Sequence, residues 1–170
     1  MSEIHIALTG HRPDKLDGYG LDTPFYHRLH DYLVSIIVDH LDRYDVVWVH
    51  SGMALGADTV WAFAAHSAAR TYPDRVKLHA EIPVMSQPDI WRNPLDRKYW
   101  RYLVNFAADK TVYADKYAPR VMQDRNIGMI DHADLLLAVW DGTPGGTGNA
   151  VHYAQRIGEN TQYIDPAQFR

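Results

Sequence analysis

Apolar and polar positions alternate over Ile4-His5-Ile6-Ala7-Leu8, and the run stops at Thr9-Gly10, which predicts a first and central strand. The connection from Gly10 to Gly20 is long and polar, with three glycines and a proline, and loops of that size in compact domains are often functional. Thr23-Pro24 then supplies a capping hydroxyl with proline at the first helical position. Phe25, Leu29, Leu33, Ile36, Ile37 and Leu41 recur at helical spacing, so this helix lays one apolar face on a sheet.

The alternation of strands and helices continues to the end of the chain. Val46 to Val49 reads as a second strand and Thr59 to Thr71 as an alanine-rich helix that packs closely. Val76 to Ile82 is a third strand, Asp96 to Ala108 a helix, and Thr111 to Tyr113 a short fourth strand. A helix opened by Pro119 runs to His132, and the apolar run Leu135 to Val139 is the fifth strand. A short helix follows from Ala150 to Arg156, and Gln162 to Ile164 adds an edge strand. Parallel strands need crossover connections, so this order predicts an α/β domain with a mostly parallel sheet and helices on both faces. Ligands in such sheets bind beyond the carboxyl ends of the strands. The loops at Gly10-His11-Arg12, Ser51-Gly52, Pro83 and Gly142 onward should therefore gather along one sheet edge.

The glycine loop Asp141-Gly142-Thr143-Pro144-Gly145-Gly146-Thr147-Gly148-Asn149 carries the strongest chemical signal. Four glycines fall within seven residues between a strand and a helix, where backbone N–H groups and a helix N-terminus converge on an anion. It lacks the Lys-Ser/Thr pair of a Walker loop and does not follow the first strand as a dinucleotide fingerprint does. The bland alternative is a tight turn that needs glycine. A second such turn is Ser51-Gly52-Met53-Ala54-Leu55-Gly56-Ala57-Asp58. There Ser51 is placed to bond a phosphate or ribose and Asp58 to take a ribose hydroxyl or polarise a water, unless Asp58 only favours the positive helix end.

Arg12 stands at the end of the first strand, and its planar guanidinium suits phosphate or carboxylate. Arg125 and Asn126 either face solvent, the reading the pattern favours, or turn inward toward phosphate and base. Trp91, Arg92, Arg97, Lys98, Tyr99, Trp100, Arg101 and Tyr102 mix basic and aromatic side chains, as a base-stacking surface or, more commonly, an amphipathic helix does. His27, His30 and Asp31 have metal-compatible spacing but no further ligand nearby, so no metal is expected.

Composition narrows the classes. At 170 residues the chain forms one domain, 1–170, rather than two. No apolar run approaches the roughly 20 residues that span a bilayer, so no membrane partner is expected. The absence of cysteine excludes thiolate chemistry and disulfides, and cytoplasmic residence is the default expectation. A net charge of −4 disfavours broad nonspecific nucleic-acid binding.

Thr9-Gly10-His11-Arg12-Pro13, Ser51 to Asp58, Ile82-Pro83 with Gln87 and Trp91, Arg125-Asn126, and Gly145-Gly146-Thr147-Gly148-Asn149 together resemble the YpsA-like branch of the SLOG superfamily. That superfamily includes DprA-type DNA-processing proteins and LOG phosphoribohydrolases. The resemblance implies a Rossmann-like three-layer fold whose two glycine turns hold a nucleotide or nucleotide-derived ligand. It also implies a homodimer, because related LOG proteins pair through helices. LOG enzymes hydrolyse an N-glycosidic bond and carry a loop glutamate where this chain has His152; Asn149 replaces the threonine of the same loop. Asp58, Glu81 and Asp141 are the carboxylates that would substitute. The expectation is a nucleotide-like small molecule bound by Gly10, Arg12, Ser51, Gly52, Gly56, Asp58, Arg125, Asn126 and Gly145 to Asn149, in a sensor or sequestering protein without cofactor. An N-glycosidic hydrolase is the alternative and DprA-like binding of single-stranded nucleic acid the third reading.

Overall fold

The computed structural model describes residues 1–170. Six strands, β1 (Glu3–Gly10), β2 (Val46–Ser51), β3 (Val76–Ile82), β4 (Asp109–Val112), β5 (Leu135–Val139) and β6 (Thr161–Ile164), form one sheet in the order β4-β3-β2-β1-β5-β6. All five pairings are parallel. Five helices connect the strands: α1 (Pro24–His40), α2 (Ala57–Thr71), α3 (Pro94–Phe106), α4 (Val121–Asp131) and α5 (Gly146–Ile157). The result is the expected three-layer α/β architecture.

Period-two alternation decides which side each strand residue faces. Ile4, Ile6 and Leu8 join Val47, Val49, Leu78 and Ile82 beneath α1 and α2, in the larger core that also takes Trp100 and Leu103 from α3. Ala7 and Leu136 turn to the opposite face, where Met129 and Ile130 of α4 and Ala150 and Ala154 of α5 cover them. Helix α1 starts where its cap predicts: the Thr23 side chain accepts from the Tyr26 N–H, with proline at the first helical position. Asn93 caps α3 in the same way, accepting from the Leu95 N–H at 2.9 Å.

Boundaries shift from the sequence expectation in two places that bear on function. Strand β1 runs on to Gly10, in register with Val139 of β5, so the first loop leaves from deep in the sheet edge. Helix α5 begins at Gly146 rather than Ala150, which makes most of the glycine loop the first turn of a helix. The basic and aromatic stretch 91–102 is largely an amphipathic helix. Trp100 is buried and donates to Gln87 Oε1 at 2.9 Å, and Tyr99 packs edge-on against Phe63.

Candidate functional site

The strand order reverses at β1, whose neighbours are β2 on one side and β5 on the other. Connections leaving the two sides diverge at such a point and open a crevice beyond the carboxyl ends. A cavity of about 340 Å³ sits there, lined by Thr9 to Arg12, Asp14, Lys15, Ala54, Asp58, Met122, Arg125, Asn126 and Gly145 to Thr147, with Leu8 at its floor. Arg12, Ala54 and Met122 also form a wall of an adjoining recess of about 460 Å³, lined by Pro83, Val84, Ser86, Gln87, Ile90, Trp91 and Tyr117. A polar chamber and a mostly apolar one thus share a partition.

Arg125 is the deepest charged group of the cavity lining. It does not face solvent; only 4% of it is exposed. Its Nη1 donates to the carbonyl of Gly52 and, at 3.3 Å, to that of Glu81, while Nε donates to Asn126 Oδ1 at 2.9 Å. None of these acceptors is a carboxylate, and Nη2 has no protein acceptor. Asp58, also buried, accepts at Oδ2 from the Ala54 N–H at 3.3 Å. Burial lowers the Arg125 pKa and raises that of Asp58; the guanidiniums of Arg125 and Arg12 offset part of the rise at Asp58. The Asp58 carboxyl supports the Arg125 charge through space, but no carboxylate hydrogen-bonds the guanidinium, so Nη2 remains available to an anion.

Helix α5 meets the cavity with an open N-terminus. Gly145 occupies the cap position with φ 145°, and no side chain caps the helix. The first loop amide bonded back is that of Asn149, to the Gly145 carbonyl at 2.9 Å, so the amides of Gly146, Thr147 and Gly148 have no protein acceptor. A side chain built at Gly146 would meet nothing within 4 Å. The loop ahead is braced. Asp141 Oδ1 accepts from the Thr143 hydroxyl at 2.6 Å and its N–H at 3.0 Å, and lies 2.8 Å from His11 Nε2. Those bonds hold the Asp141 carboxyl well below its usual pKa, the Thr143 hydroxyl contributing most. Lys15 Nζ donates to Thr143 Oγ1 at 2.9 Å and to the Pro144 carbonyl at 3.0 Å, tying the first loop to the last.

The second glycine turn stands on the same edge but is filled by its own groups. Ser51 Oγ donates to the Asp58 carbonyl at 2.8 Å and accepts from the Met53 N–H at 3.2 Å. A Cβ at Gly52 would lie 2.5 Å from Arg125 Nη1, and one at Gly56 would lie 2.5 Å from the His11 carbonyl. The amide of Ala57 at the start of α2 already donates to that carbonyl at 3.1 Å. Ser51, Gly52 and Gly56 therefore frame Arg125 and the first loop instead of lining the cavity.

Of the remaining sequence candidates, Gly10, Arg12, Asp58, Asn126, Gly145, Gly146 and Thr147 line the cavity with Arg125. Gly148 packs against the Thr143 carbonyl and Trp140, and Asn149 is exposed on the helix beyond. Glu81 lies behind the cavity on β3, where its carboxylate accepts from Tyr113 at 2.8 Å and meets His50 Nδ1 at 3.0 Å. Burial pushes its pKa up, but these hydrogen bonds and the flanking imidazoles outweigh it and leave it below the usual range. Asp141 is committed to the loop brace. Lys15, Asp14 and Met122 join the site without having been named from sequence. Only the β1–β5 register, which brings residues 10 and 139 together, reveals that Lys15 can reach Pro144.

A sequence model of the YspA SLOG family matches residues 6–169. The chain belongs to that family. A relative, the uncharacterized SPbeta prophage-derived protein YoqJ of Bacillus subtilis (strain 168), is 28% identical over 149 residues, covering 80% of this chain and 85% of its own. Two solved structures share this chain's fold at low identity. DNA processing protein A of Helicobacter pylori, described for its single-stranded DNA binding mode, superposes with a TM-score of 0.65 at 14% identity over 96% of this chain. DNA processing protein A of Streptococcus pneumoniae superposes with a TM-score of 0.63 at 15% identity over 95% of this chain. This chain spans 66% and 50% of those two proteins' lengths. No helix is long and apolar enough to cross a membrane.

Proposed function

We propose that the cavity binds a nucleotide or nucleotide-derived ligand, such as a nucleoside phosphate or an ADP-ribose-like compound, and that the protein acts as a sensor or sequestering module. One observation carries the reading: an anion cradle and an apolar recess share the wall formed by Arg12, Ala54 and Met122. The cradle offers the free amides of Gly146 and Thr147, the positive end of α5, Arg12 and the unpaired Nη2 of Arg125. The recess offers Trp91 and Tyr117, aromatic faces on which a base stacks. Phosphate on one side of the partition and base on the other is the arrangement a nucleotide requires.

A second reading, hydrolysis of an N-glycosidic bond, is favoured by Asp58. Of the three carboxylates named from sequence it alone lines the cavity, and burial favours its protonated form, as a general acid needs.

Calorimetric titration with inorganic phosphate, AMP, ADP, ADP-ribose and a short single-stranded oligonucleotide tests both readings. The expected result is one-site binding of a mononucleotide, tighter than phosphate alone and weakened by Arg12→Ala and Trp91→Ala. No compound binding below about 1 mM would sink the nucleotide reading. Preference for the oligonucleotide with a steep salt dependence would move the function to nucleic acid. Release of free base, lost in Asp58→Asn while binding persists, would establish the hydrolase.

A further inference from the structure

Strands β2 and β3 carry a second polar cluster on the α4/α5 side of the sheet, outside the cavity lining. His50 of β2 and His79 of β3 are register partners, and Glu81 lies two residues beyond His79 on the same face. His50 and Glu81 are buried, and His79 is partly open to solvent. The imidazoles of His50 and His79 stack with centroids 4.8 Å apart and planes inclined by 22°.

We propose that His50, His79 and Glu81 form a binding site for a divalent transition-metal ion of the zinc class. Ligand atoms from all three residues lie within 4.8 Å of one another. Zinc–ligand bonds of about 2.0–2.1 Å in a tetrahedron separate neighbouring ligand atoms by about 3.4 Å. Glu81 Oε1 is 3.0 Å from His50 Nδ1 and 3.7 Å from His79 Nε2, so these two edges bracket that separation. The third edge, between the two imidazoles, reaches up to 4.8 Å, so the His79 ring, the more open of the two, turns inward to seat the ion.

The surroundings match what ligating side chains need. A metal-bound imidazole donates its other N–H to a second group, which fixes its tautomer. His50 Nε2 lies 2.8 Å from His5 Nδ1; a proton on Nε2, donated to His5, frees the Nδ1 lone pair that faces Glu81. The second carboxylate oxygen, Glu81 Oε2, accepts from Tyr113 at 2.8 Å, which leaves Oε1 for the ion. All three ligands stand on strands rather than loops, so the site is rigid. A side chain that is 17% exposed at His79 marks the open side, where water supplies a fourth ligand. His79 Nε2 now contacts the Thr111 hydroxyl at 2.8 Å, and metal binding exchanges that contact for the ion. Three protein ligands and one open position are the pattern of a site at which zinc activates water or takes a ligand.

The test uses the untagged full chain, stripped with chelator and titrated with Zn²⁺ and with Co²⁺ at neutral pH. One equivalent should bind with Kd below about 1 µM, with the visible d–d bands of tetrahedral Co²⁺ and a rise in Tm. His79→Gln and Glu81→Gln should each weaken binding at least 100-fold, whereas His30→Ala, on the far helix α1, should leave it unchanged. Far-ultraviolet circular dichroism checks that each variant is folded. Glu81→Gln risks misfolding because the residue is buried, but His79→Gln sits at the open side and decides alone if needed. Binding weaker than about 10 µM, or an equivalent retained in His79→Gln, would overturn the proposal.

Discussion

Gly146→Asp separates the anion-cradle reading from every purely structural account of the glycine loop. A Cβ at Gly146 has open space and needs no left-handed backbone, so the substitution fits. An acidic side chain in the first helical turn gains about 0.3–1 kcal/mol from the helix dipole. Replacing glycine by aspartate in a helix adds only about 0.3 kcal/mol of propensity. For a domain of this size a gain of about 1 kcal/mol raises Tm by roughly 2–4 °C. Binding moves the other way. A carboxylate about 4 Å from a bound phosphate repels it by about 1 kcal/mol in water and about 4 kcal/mol at the protein surface. The cradle lies between those limits, and about 2 kcal/mol corresponds to roughly 30-fold weaker binding. Calorimetry on the tightest nucleotide of the panel reads the affinity, and a thermal melt reads the stability. Gly146→Asn supplies the same bulk without charge and should cost far less affinity. If the Asp variant melts higher yet binds within about threefold of the native chain, the phosphate does not sit on α5. Equal losses for Asn and Asp would refute the charge argument.

Further outcomes follow from the same geometry. Gly52→Ala drives a methyl against Arg125 Nη1 and Asp58 Oδ2, and should cost about 1–3 kcal/mol in chemical denaturation. Arg125→Lys cannot serve the Gly52 and Glu81 carbonyls and the cavity at once, so it should lose about 1–3 kcal/mol of stability and most nucleotide affinity, read by denaturation and calorimetry. For Asp141, whose pKa is lowered in the fold, the stabilisation is present above the unfolded value of about 3.9 and fades as pH falls through the folded value. Asp141→Asn should therefore lower Tm at pH 7, with the gap to the native chain shrinking below about pH 4; a constant gap would contradict the hydrogen-bond cause.

The layer order, the cap of α1 and the loops gathered at one edge were legible because each depends on local pattern. Thr23-Pro24 announces α1 through its own side chain and ring, whatever the rest of the chain does. Arg125 was not legible. On a helix of mixed composition it reads as a solvated residue, and only the bare Gly52 on β2's loop, 73 positions away, makes room for it. The cluster of His50, His79 and Glu81 was hidden for the same reason. Its members come from two strands whose pairing defines the site, while the suggestive spacing at His27, His30 and Asp31 lies along a single helix. Lys15 and Asp141 likewise acquire partners only through the β1–β5 pairing.

The two glycine turns look equivalent in sequence, yet the fold gives them opposite tasks. In the turn after β2, every glycine is spent on a close approach, Gly52 to Arg125 and Gly56 to His11, and its polar groups bond one another. That closure holds a guanidinium inside the protein on backbone carbonyls, with no carboxylate hydrogen-bonded to it. In the turn after β5 the glycines leave amides unpaired and space unfilled. On the proposed reading, an anion bridges the closed turn, which presents a fixed cation, and the open turn, which presents free donors. Loosening the first turn should therefore weaken binding at the second without touching it. Ser51→Ala, which frees the Asp58 carbonyl and the Met53 amide while leaving the cavity lining intact, should reduce nucleotide affinity severalfold. Unchanged affinity in a measurably destabilised Ser51→Ala protein would show that the closed turn contributes to folding alone.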